Sequence, residues 1–186
     1  LVTRARLEAG ETALIWGASS GLGSAAIQIA KRIGARVIAT AGGAAKVERA
    51  RALGADRIVD YQSENVTEVV RTFTAGHGAA VVFDHVGVNA TATSLDCLAR
   101  GGRLVIGGAT TGSDVGLNLM RLVANNLQIH ACLIGTPVEF AAVLRLAEQG
   151  AFQPVIDRIF RLDQAPDAHC RIESPEHFGK IVLSLR

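Results

Sequence analysis

Three glycines, Gly17, Gly21 and Gly23, separate a short apolar run at residues 12–16 from a stretch with helical periodicity. This order predicts a strand, a tight turn and a helix, which aim backbone N–H groups and the positive end of a helix dipole at a phosphate. Gly23 is expected to let the helix pack closely on its strand, and a side chain at Gly21 is expected to project toward the pyrophosphate of a dinucleotide. The predicted turn consists of Gly17, Ala18, Ser19, Ser20, Gly21, Leu22 and Gly23, and the buried helix face of Ala26, Ile29, Ala30 and Ile33.

A second apolar run, residues 36–41, ends without the acidic residue that NAD sites use to bond the ribose hydroxyls. Ala41 stands at that position beside Gly42, and the next acid is Glu48. Lys46 is predicted to lie in the first turn of the following helix, where a cation and free N–H groups suit a phosphate dianion. Lys46 therefore has two interpretations, a ligand of the 2′-phosphate of NADP or a solvated surface lysine, and the missing acid favours the first.

Other classes of glycine-rich nucleotide site fit the sequence less well. A P-loop requires Gly-x-x-x-x-Gly-Lys-Ser/Thr, but the sixth position from Gly17 is Leu22 and no lysine follows. An active short-chain dehydrogenase requires Tyr-x-x-x-Lys, whereas Tyr61, the only tyrosine, is followed at that spacing by Asn65. Methyltransferases share the turn but favour an acid after the second strand, which Ala41 does not supply.

Composition favours an α/β domain and does not favour a nucleic-acid-binding or membrane protein. Hydrophobic residues make up 49% of the 186 residues and aromatic residues only 4%, as is typical of parallel strands covered by helices. A net charge of +2 is too small to favour nucleic acid or an anionic membrane as a partner, and no apolar run is long enough to span a bilayer. Cys97, Cys132 and Cys170 lack metal-ligand spacing, so we expect reduced thiols, no metal site and a cytoplasmic location.

The alternation of apolar runs and helical patterns predicts the elements that must position these residues. We expect a Rossmann-type α/β fold whose six parallel strands form a doubly wound sheet in the order 3-2-1-4-5-6. The later strands are predicted at residues 57–60, 79–84, 103–106 and 127–133, and the later helices at 66–73, 90–98, 117–124 and 137–149.

The chain is expected to divide into a nucleotide-binding domain at residues 1–150 and a C-terminal segment at 151–186. The segment has a strand, helix and strand pattern at 155–160, 163–172 and 178–185. It is too short to form its own core. We expect it to pack on a catalytic domain whose sequence precedes Leu1.

Nine short runs along the chain follow the pattern of one known family. They are residues 11–23, 30–35, 39–42, 52–56, 60–61, 84–87, 101–105, 152–156 and 177–183. On these runs the chain resembles the cofactor-binding half of the medium-chain dehydrogenases/reductases, in the quinone oxidoreductase and zinc-type alcohol dehydrogenase branches. It departs from them at Ser20, where quinone reductases usually carry glycine. The serine side chain is expected to point away from the cofactor or to donate to a phosphate.

The resemblance implies positions for both ends of an NADP cofactor. Lys46 and Tyr61 match the places of residues that hold the 2′-phosphate, and Gly42 the place of a close backbone contact. Tyr61 also has a structural interpretation, as an aromatic that covers the sheet edge. The nicotinamide is expected over the carboxyl ends of strands one, four and five, near Val86, Gly87, Gly107 and the loop at Ile134.

The same resemblance implies an NADP(H)-dependent oxidoreductase. A hydride would be transferred between the nicotinamide and a small-molecule carbonyl, alcohol or activated alkene such as a quinone or enone. The catalytic residues are expected upstream of Leu1, and a zinc ion is compatible with the whole enzyme but not with these residues. The alternative is a non-catalytic NADPH-binding module with a sensory or structural role.

Two further expectations concern a titratable pair and assembly. Asp84 and His85 at the end of the fourth strand are either catalytic or structural, and the structural interpretation is favoured. Strand 127–133 is an apolar sheet edge with few charges, and such edges pair with other chains. Related dehydrogenases dimerise there, so we expect a homodimer in which Gln128, His130 and Cys132 approach their symmetry mates.

Overall fold

A six-stranded parallel sheet organises the chain in the computed structural model, which describes residues 1–185. The strand order is β3-β2-β1-β4-β5-β6, with every neighbouring pair parallel, which confirms the predicted topology. The strands are β1 (Thr12–Ile15), β2 (Arg36–Ala41), β3 (Arg57–Asp60), β4 (Ala79–Asp84), β5 (Leu98–Ile106) and β6 (Gln128–Ala131).

Helices cover both faces of this sheet. They are α1 (Gly21–Ile33), α2 (Ala44–Arg51), α3 (Val66–Phe73), α4 (Val88–Cys97), α5 (Leu119–Asn125) and α6 (Pro137–Glu148). The last begins with a capping box between Thr136 and Glu139, followed by Pro137 in its first turn.

Two strand boundaries differ from the predictions. β5 begins at Leu98 rather than at residue 103, because Leu98 already pairs with Ala79 ahead of an irregularity in the ladder. β6 ends at Ala131 rather than at residue 133, because its last partner is Ile106, where β5 ends.

Alternate residues of the strands fill two apolar clusters on opposite faces of the sheet. Ile15 belongs to the cluster under α1, and Leu14 to the cluster under α3 and α4, as expected from the period of two along a strand. The predicted buried face of α1 differs from the observed one, because Ile27 is fully buried whereas Ile29 and Ile33 are only partly buried. The close approach of Gly23 to β1 sets this face, which continues at Ala26, Ile27 and Ala30.

The C-terminal segment has the predicted strand, helix and strand. β7 (Ile156–Arg161) pairs in parallel with β8 (Lys180–Ser184), and α7 (Ala165–Glu173) connects them. The helix begins two residues later than predicted, because a short 3₁₀ turn at Leu162–Gln164 precedes it.

One side of this segment packs on the unit formed by the six-stranded sheet and its helices. Phe178 is buried in the same cluster as Ile27, and Gln28 and Gln153 exchange two hydrogen bonds of 2.9 and 3.0 Å. The opposite side leaves large apolar residues such as Ile159 exposed. That this side packs on a preceding catalytic domain stays a prediction.

A buried carboxylate fastens the segment. The side chain of Asp157 is only 3% exposed and accepts hydrogen bonds from Arg171, Arg49 and the Phe178 N–H. The Arg171 contact, with the Phe178 N–H, lowers the Asp157 pKa to about 2 although burial opposes it. The Arg49 guanidinium also lies 4.5 Å from the centre of the Phe178 ring.

Candidate functional site

The turn after β1 has the geometry expected of a phosphate-binding turn. Gly17 has a φ of +64°, which favours glycine, and its N–H donates to Thr40 Oγ1 at 3.0 Å. The Ala18 N–H donates to the Thr40 carbonyl at 2.8 Å, so the turn is fastened to the end of β2. A Cβ at Gly23 would overlap the Gly17 carbonyl, as the close packing predicted for Gly23 requires.

The start of α1 presents backbone donors that the chain itself leaves open. Ser20 is the N-cap, and its Oγ accepts a 2.8 Å hydrogen bond from the Gly23 N–H. The N–H groups of Ser19, Gly21 and Leu22 donate no hydrogen bond within residues 1–185. Three open donors at the positive end of a 13-residue helix fit the pyrophosphate of a dinucleotide.

A lysine from the C-terminal segment lies over this turn. A Cβ built on Gly21 would overlap the Lys180 side chain and lie 2.9 Å from its Nζ. The expectation that a side chain at Gly21 projects toward the pyrophosphate of a dinucleotide stays a prediction, and the Lys180 stem lies in the direction of this Cβ. The lysine is held there by the Gly179 N–H, which donates to the Ser19 carbonyl at 2.7 Å.

Lys180 is a candidate site residue that was not predicted from the sequence. Its ammonium group makes no ion pair within the described chain and lies at the positive end of a helix, which is unfavourable without an anion nearby. The signal in the sequence was the run 177–183, which follows the family pattern but lies 154 or more residues away from the turn in the chain, counted from residue 23 to residue 177.

Two of the predicted 2′-phosphate residues, Gly42 and Tyr61, lie in contact at the ends of β2 and β3. A Cβ on Gly42 would lie 2.5 Å from the Tyr61 hydroxyl, so the tyrosine lies against this glycine with half of its surface exposed. Lys46 lies in the first turn of α2, as predicted, and is half-buried. Burial, and to a smaller extent the charge of Arg49, lower the Lys46 pKa.

An acid does lie close to this region, but it comes from β3. Asp60 Oδ1 accepts hydrogen bonds from the Gly43 N–H at 3.0 Å and the Gln62 N–H at 3.1 Å, and these lower its pKa. Asp60 pairs with Ala41 in the sheet and was not expected at the site, because the acid typical of NAD sites follows the second strand rather than the third. A 2′-phosphate here would need Lys46 to offset a neighbouring carboxylate.

The predicted nicotinamide loop is held by a buried aspartate. Asp84 is fully buried, and its Oδ1 accepts hydrogen bonds from the Val86 and Gly87 N–H groups at 2.8 and 3.2 Å. Its Oδ2 accepts from the hydroxyls of Thr91 and Ser94 at 3.1 and 3.0 Å. All four contacts are structural, so the geometry agrees with the structural interpretation of Asp84.

The loops after β4 and β5 are joined by backbone hydrogen bonds. The Gly107 N–H donates to the Asp84 carbonyl, and the Thr111 N–H to the Val86 carbonyl, both at 2.8 Å. The structure thus brings Val86, Gly87 and Gly107 together at the carboxyl edge of the sheet. Ile134 lies in the loop after β6 at the same edge, but it is 84% exposed and not part of this bonded group.

His85 and Trp16 connect the turn to this loop. Trp16 follows β1, is buried, and has an indole N–H without a hydrogen-bond partner among the described residues. His85 Nε2 lies 3.0 Å from the Trp16 carbonyl and 3.1 Å from Ser20 Oγ. The imidazole is therefore engaged by the turn, which agrees with the structural interpretation of His85.

Two other features of the described chain bear on function. Residues 1–185 contain no cluster of three His, Cys, Asp or Glu side chains able to hold a metal ion. Across the same residues, no helix combines the length and apolar character needed to cross a bilayer.

Comparisons with known proteins agree with the geometry. A family model described as zinc-binding dehydrogenase matches residues 21–149. A quinone oxidoreductase of Pseudomonas aeruginosa is 35% identical over 186 residues, which cover 95% of this chain and 57% of that protein.

Two solved structures extend the comparison. A crystal structure of an NAD-dependent alcohol dehydrogenase has a TM-score of 0.93 and 37% identity, with 100% of this chain and 54% of that chain covered. The Escherichia coli quinone oxidoreductase complexed with NADPH has a TM-score of 0.83 and 30% identity, with 95% and 58% covered. The present chain thus spans little more than half the length of these three proteins.

Proposed function

Because the chain belongs to the zinc-binding dehydrogenase family, within the medium-chain dehydrogenases/reductases, we propose that it is the cofactor-binding part of an NADP(H)-dependent oxidoreductase. The observation that carries the proposal is the turn at residues 17–23. Three open N–H groups and the ammonium group of Lys180 meet there at a helix N-terminus, an arrangement that suits two linked phosphates.

The preference for NADPH over NADH rests on the surroundings of Gly42. Lys46 supplies a cation in the first turn of α2, the Tyr61 hydroxyl supplies a donor, and Ala41 leaves no acid at the end of β2. The carboxylate of Asp60 acts against this preference. Both cofactor types occur among similar proteins, since one is an NAD-dependent alcohol dehydrogenase and another is a quinone oxidoreductase complexed with NADPH.

The proposed reaction is hydride transfer between the nicotinamide and a small-molecule carbonyl, alcohol or activated alkene. The cofactor supplies the hydride chemistry when bound. The residues of this chain bind and orient it, through the turn at one end and the joined loops at 84–87 and 107–112 at the other. The groups that act on substrate belong to the rest of the protein, and no step is assigned to zinc because the described residues offer no ligand set.

Catalysis is a better fit than a binding-only module, because the similar proteins are alcohol dehydrogenases and quinone oxidoreductases. A cytoplasmic location is part of the proposal and is supported by the free thiols of Cys97, Cys132 and Cys170.

A homodimer through β6 completes the proposal. β6 pairs only with β5 in the described chain, so its outer edge keeps open backbone groups. Exposed apolar residues lie around that edge, among them Met120, Val123 and Leu133, and continue to Phe140 on α6. An open edge surrounded by apolar surface supports pairing with a second copy of the chain.

Calorimetric titration with NADPH and NADH tests the cofactor assignment. We expect NADPH to bind more tightly than NADH. Lys46→Met should lower the affinity for NADPH about tenfold, because one charge-assisted contact is lost, and change the affinity for NADH less than twofold. Equal affinities of the two cofactors, or equal effects of the variant on both, would refute the NADP preference. Binding of neither cofactor would refute the function.

A further inference from the structure

Two side chains from distant parts of the sequence meet beside the phosphate-binding turn. Ser20 belongs to the turn after β1, His85 follows β4, and the Oγ and Nε2 atoms lie 3.1 Å apart. His85 is more than nine-tenths buried, and its Cε1 and Nε2 would lie 3.0 Å from a Cβ on Gly17. The imidazole therefore packs directly against the turn, where the absence of a side chain at Gly17 makes room for it.

The neighbours of His85 fix which atom carries the proton. Nε2 lies 3.0 Å from the Trp16 carbonyl, and a carbonyl oxygen only accepts hydrogen bonds. Nε2 must therefore be protonated, and it has no lone pair with which to take a proton from Ser20. This excludes Ser20 and His85 as a nucleophile and base pair in this arrangement, in spite of their distance.

The same argument fixes the direction of the Ser20 hydroxyl. Ser20 Oγ accepts from the Gly23 N–H at 2.8 Å and faces the protonated Nε2 of His85 at 3.1 Å. The single Nε2–H is shared between the Trp16 carbonyl and Ser20 Oγ. Neither the Gly23 N–H nor the protonated Nε2 can accept a hydrogen bond, so the hydroxyl proton of Ser20 must point away from Gly23 and His85. No described residue accepts that proton.

We infer that His85 is a positioning residue that makes the Ser20 hydroxyl a hydrogen-bond donor to the cofactor pyrophosphate. The inference rests on the proposed function, since it needs a dinucleotide on the turn. The turn then offers one side-chain donor beside the open N–H groups of Gly21 and Leu22. A glycine at residue 20, as in the quinone reductase pattern, would lack both the hydroxyl and the contact with His85.

Ligands that carry different phosphate groups distinguish donation by the Ser20 hydroxyl to the pyrophosphate from simple capping of α1. The 2′-phosphate of 2′-AMP is expected near Lys46, and 2′-AMP has no pyrophosphate, whereas 2′,5′-ADP adds one phosphate at the turn and NADPH adds both. Binding of all three to the protein would be measured by calorimetry, with 2′-AMP measured by competition. Ser20→Ala is expected to lower the affinity for NADPH about tenfold, because one hydrogen bond to a charged group is lost. It should lower the affinity for 2′-AMP less than twofold.

Variants of His85 test its part in the arrangement. His85→Leu removes the Nε2–H donor and is expected to weaken NADPH as Ser20→Ala does, with no further loss in the double variant. His85→Gln places an amide N–H at the same reach and is expected to restore most of the affinity. Lys46→Met is the matched control, because it should weaken NADPH and 2′-AMP alike.

Ser20→Gly guards against loss of the fold, because glycine is tolerated at an N-cap at little cost in helix stability. If Ser20→Gly and Ser20→Ala bind NADPH as tightly as the wild type, or weaken 2′-AMP as much as NADPH, the hydroxyl only caps the helix and the inference is wrong. Additive losses in the double variant would also overturn the role of His85. Failure of the wild type itself to bind NADPH would instead refute the proposed function.

Discussion

Replacing Lys180 by methionine tests whether the C-terminal segment completes the phosphate site. Methionine keeps an apolar stem of similar length over Gly21 but removes the ammonium group, whose Nζ lies 2.9 Å from the Cβ position of that glycine. A phosphate bound to the N–H groups of Gly21 and Leu22 would lie beside this charge. Two unit charges about 4 Å apart interact with about 4 kcal/mol at an effective dielectric constant near 20.

The measurable effect is smaller than this energy. Lys180 is exposed, so solvent screens the contact and the ammonium loses hydration when it pairs. The net value of a hydrogen bond to a charged group is about 1.5–3 kcal/mol, and the exposure of Lys180 places it at the low end. We therefore expect Lys180→Met to weaken NADPH binding about tenfold, which corresponds to about 1.4 kcal/mol.

Calorimetric titration of the wild type and the variant with NADPH measures this difference. Lys31→Met is the matched control, since Lys31 lies on α1, the helix that begins at Gly21, and its ammonium group pairs with Asp56 at 2.8 Å. It is about 15 Å along α1 from Gly21, at a rise of about 1.5 Å per residue, and should leave the affinity unchanged. Because a charge contact is removed, the affinity should also depend less steeply on salt in Lys180→Met.

The reasoning fails if Lys180→Met binds NADPH within twofold of the wild type. It also fails if the variant and the Lys31→Met control lose affinity equally, because the loss would then not come from the phosphate turn. Far-ultraviolet circular dichroism of both variants, expected to match the wild type, shows that the comparison is made between folded proteins.

Two further predictions concern stability and assembly. Asp157→Ala should lower the free energy of unfolding, measured in urea, by about 2 kcal/mol. This is less than the roughly 3–5 kcal/mol lost on breaking a fully buried ion pair, because Arg171 and Arg49 are partly exposed. An unchanged free energy of unfolding would show that this contact does not hold the C-terminal segment. Since the folded pKa of Asp157 is lowered to about 2, its contribution is present above the unfolded pKa of about 3.9 and is lost as the pH falls through 2, so the difference between wild type and variant should shrink between pH 4 and pH 2. His130→Pro removes a ladder N–H in the edge strand and should shift sedimentation from dimer toward monomer, and a wild type that sediments as a monomer at micromolar concentration would refute the dimer.

The fold was predictable because its signals are local. Each parallel strand is a short apolar run, each run is followed by a helical pattern, and glycines mark the turns between them. The alternation predicts a doubly wound parallel sheet, and the glycine-rich first turn favours the strand order that the structure has. The position of Lys46 in the first turn of α2 was predictable for the same reason, since it depends only on where one helix begins.

The missed features depend on contacts between distant segments. Lys180 reaches Gly21 only because Phe178 is buried under α1 and the Gly179 N–H bonds to the turn. Asp60 reaches Gly43 only through the register in which β3 pairs with β2. Neither contact has a periodicity or spacing in the sequence, so only the folded chain brings these groups to the site.

Trp16 is the only tryptophan of the chain and is buried where β1 meets the turn. The reduced nicotinamide ring absorbs light in the range in which a buried indole emits, so a cofactor bound at this edge of the sheet would receive its excitation energy. Filling of the site would quench tryptophan emission and sensitise nicotinamide fluorescence, whereas the oxidised cofactor would give no such sensitised emission. The protein therefore carries an intrinsic optical probe that reports both occupancy and the redox state of its cofactor without a label.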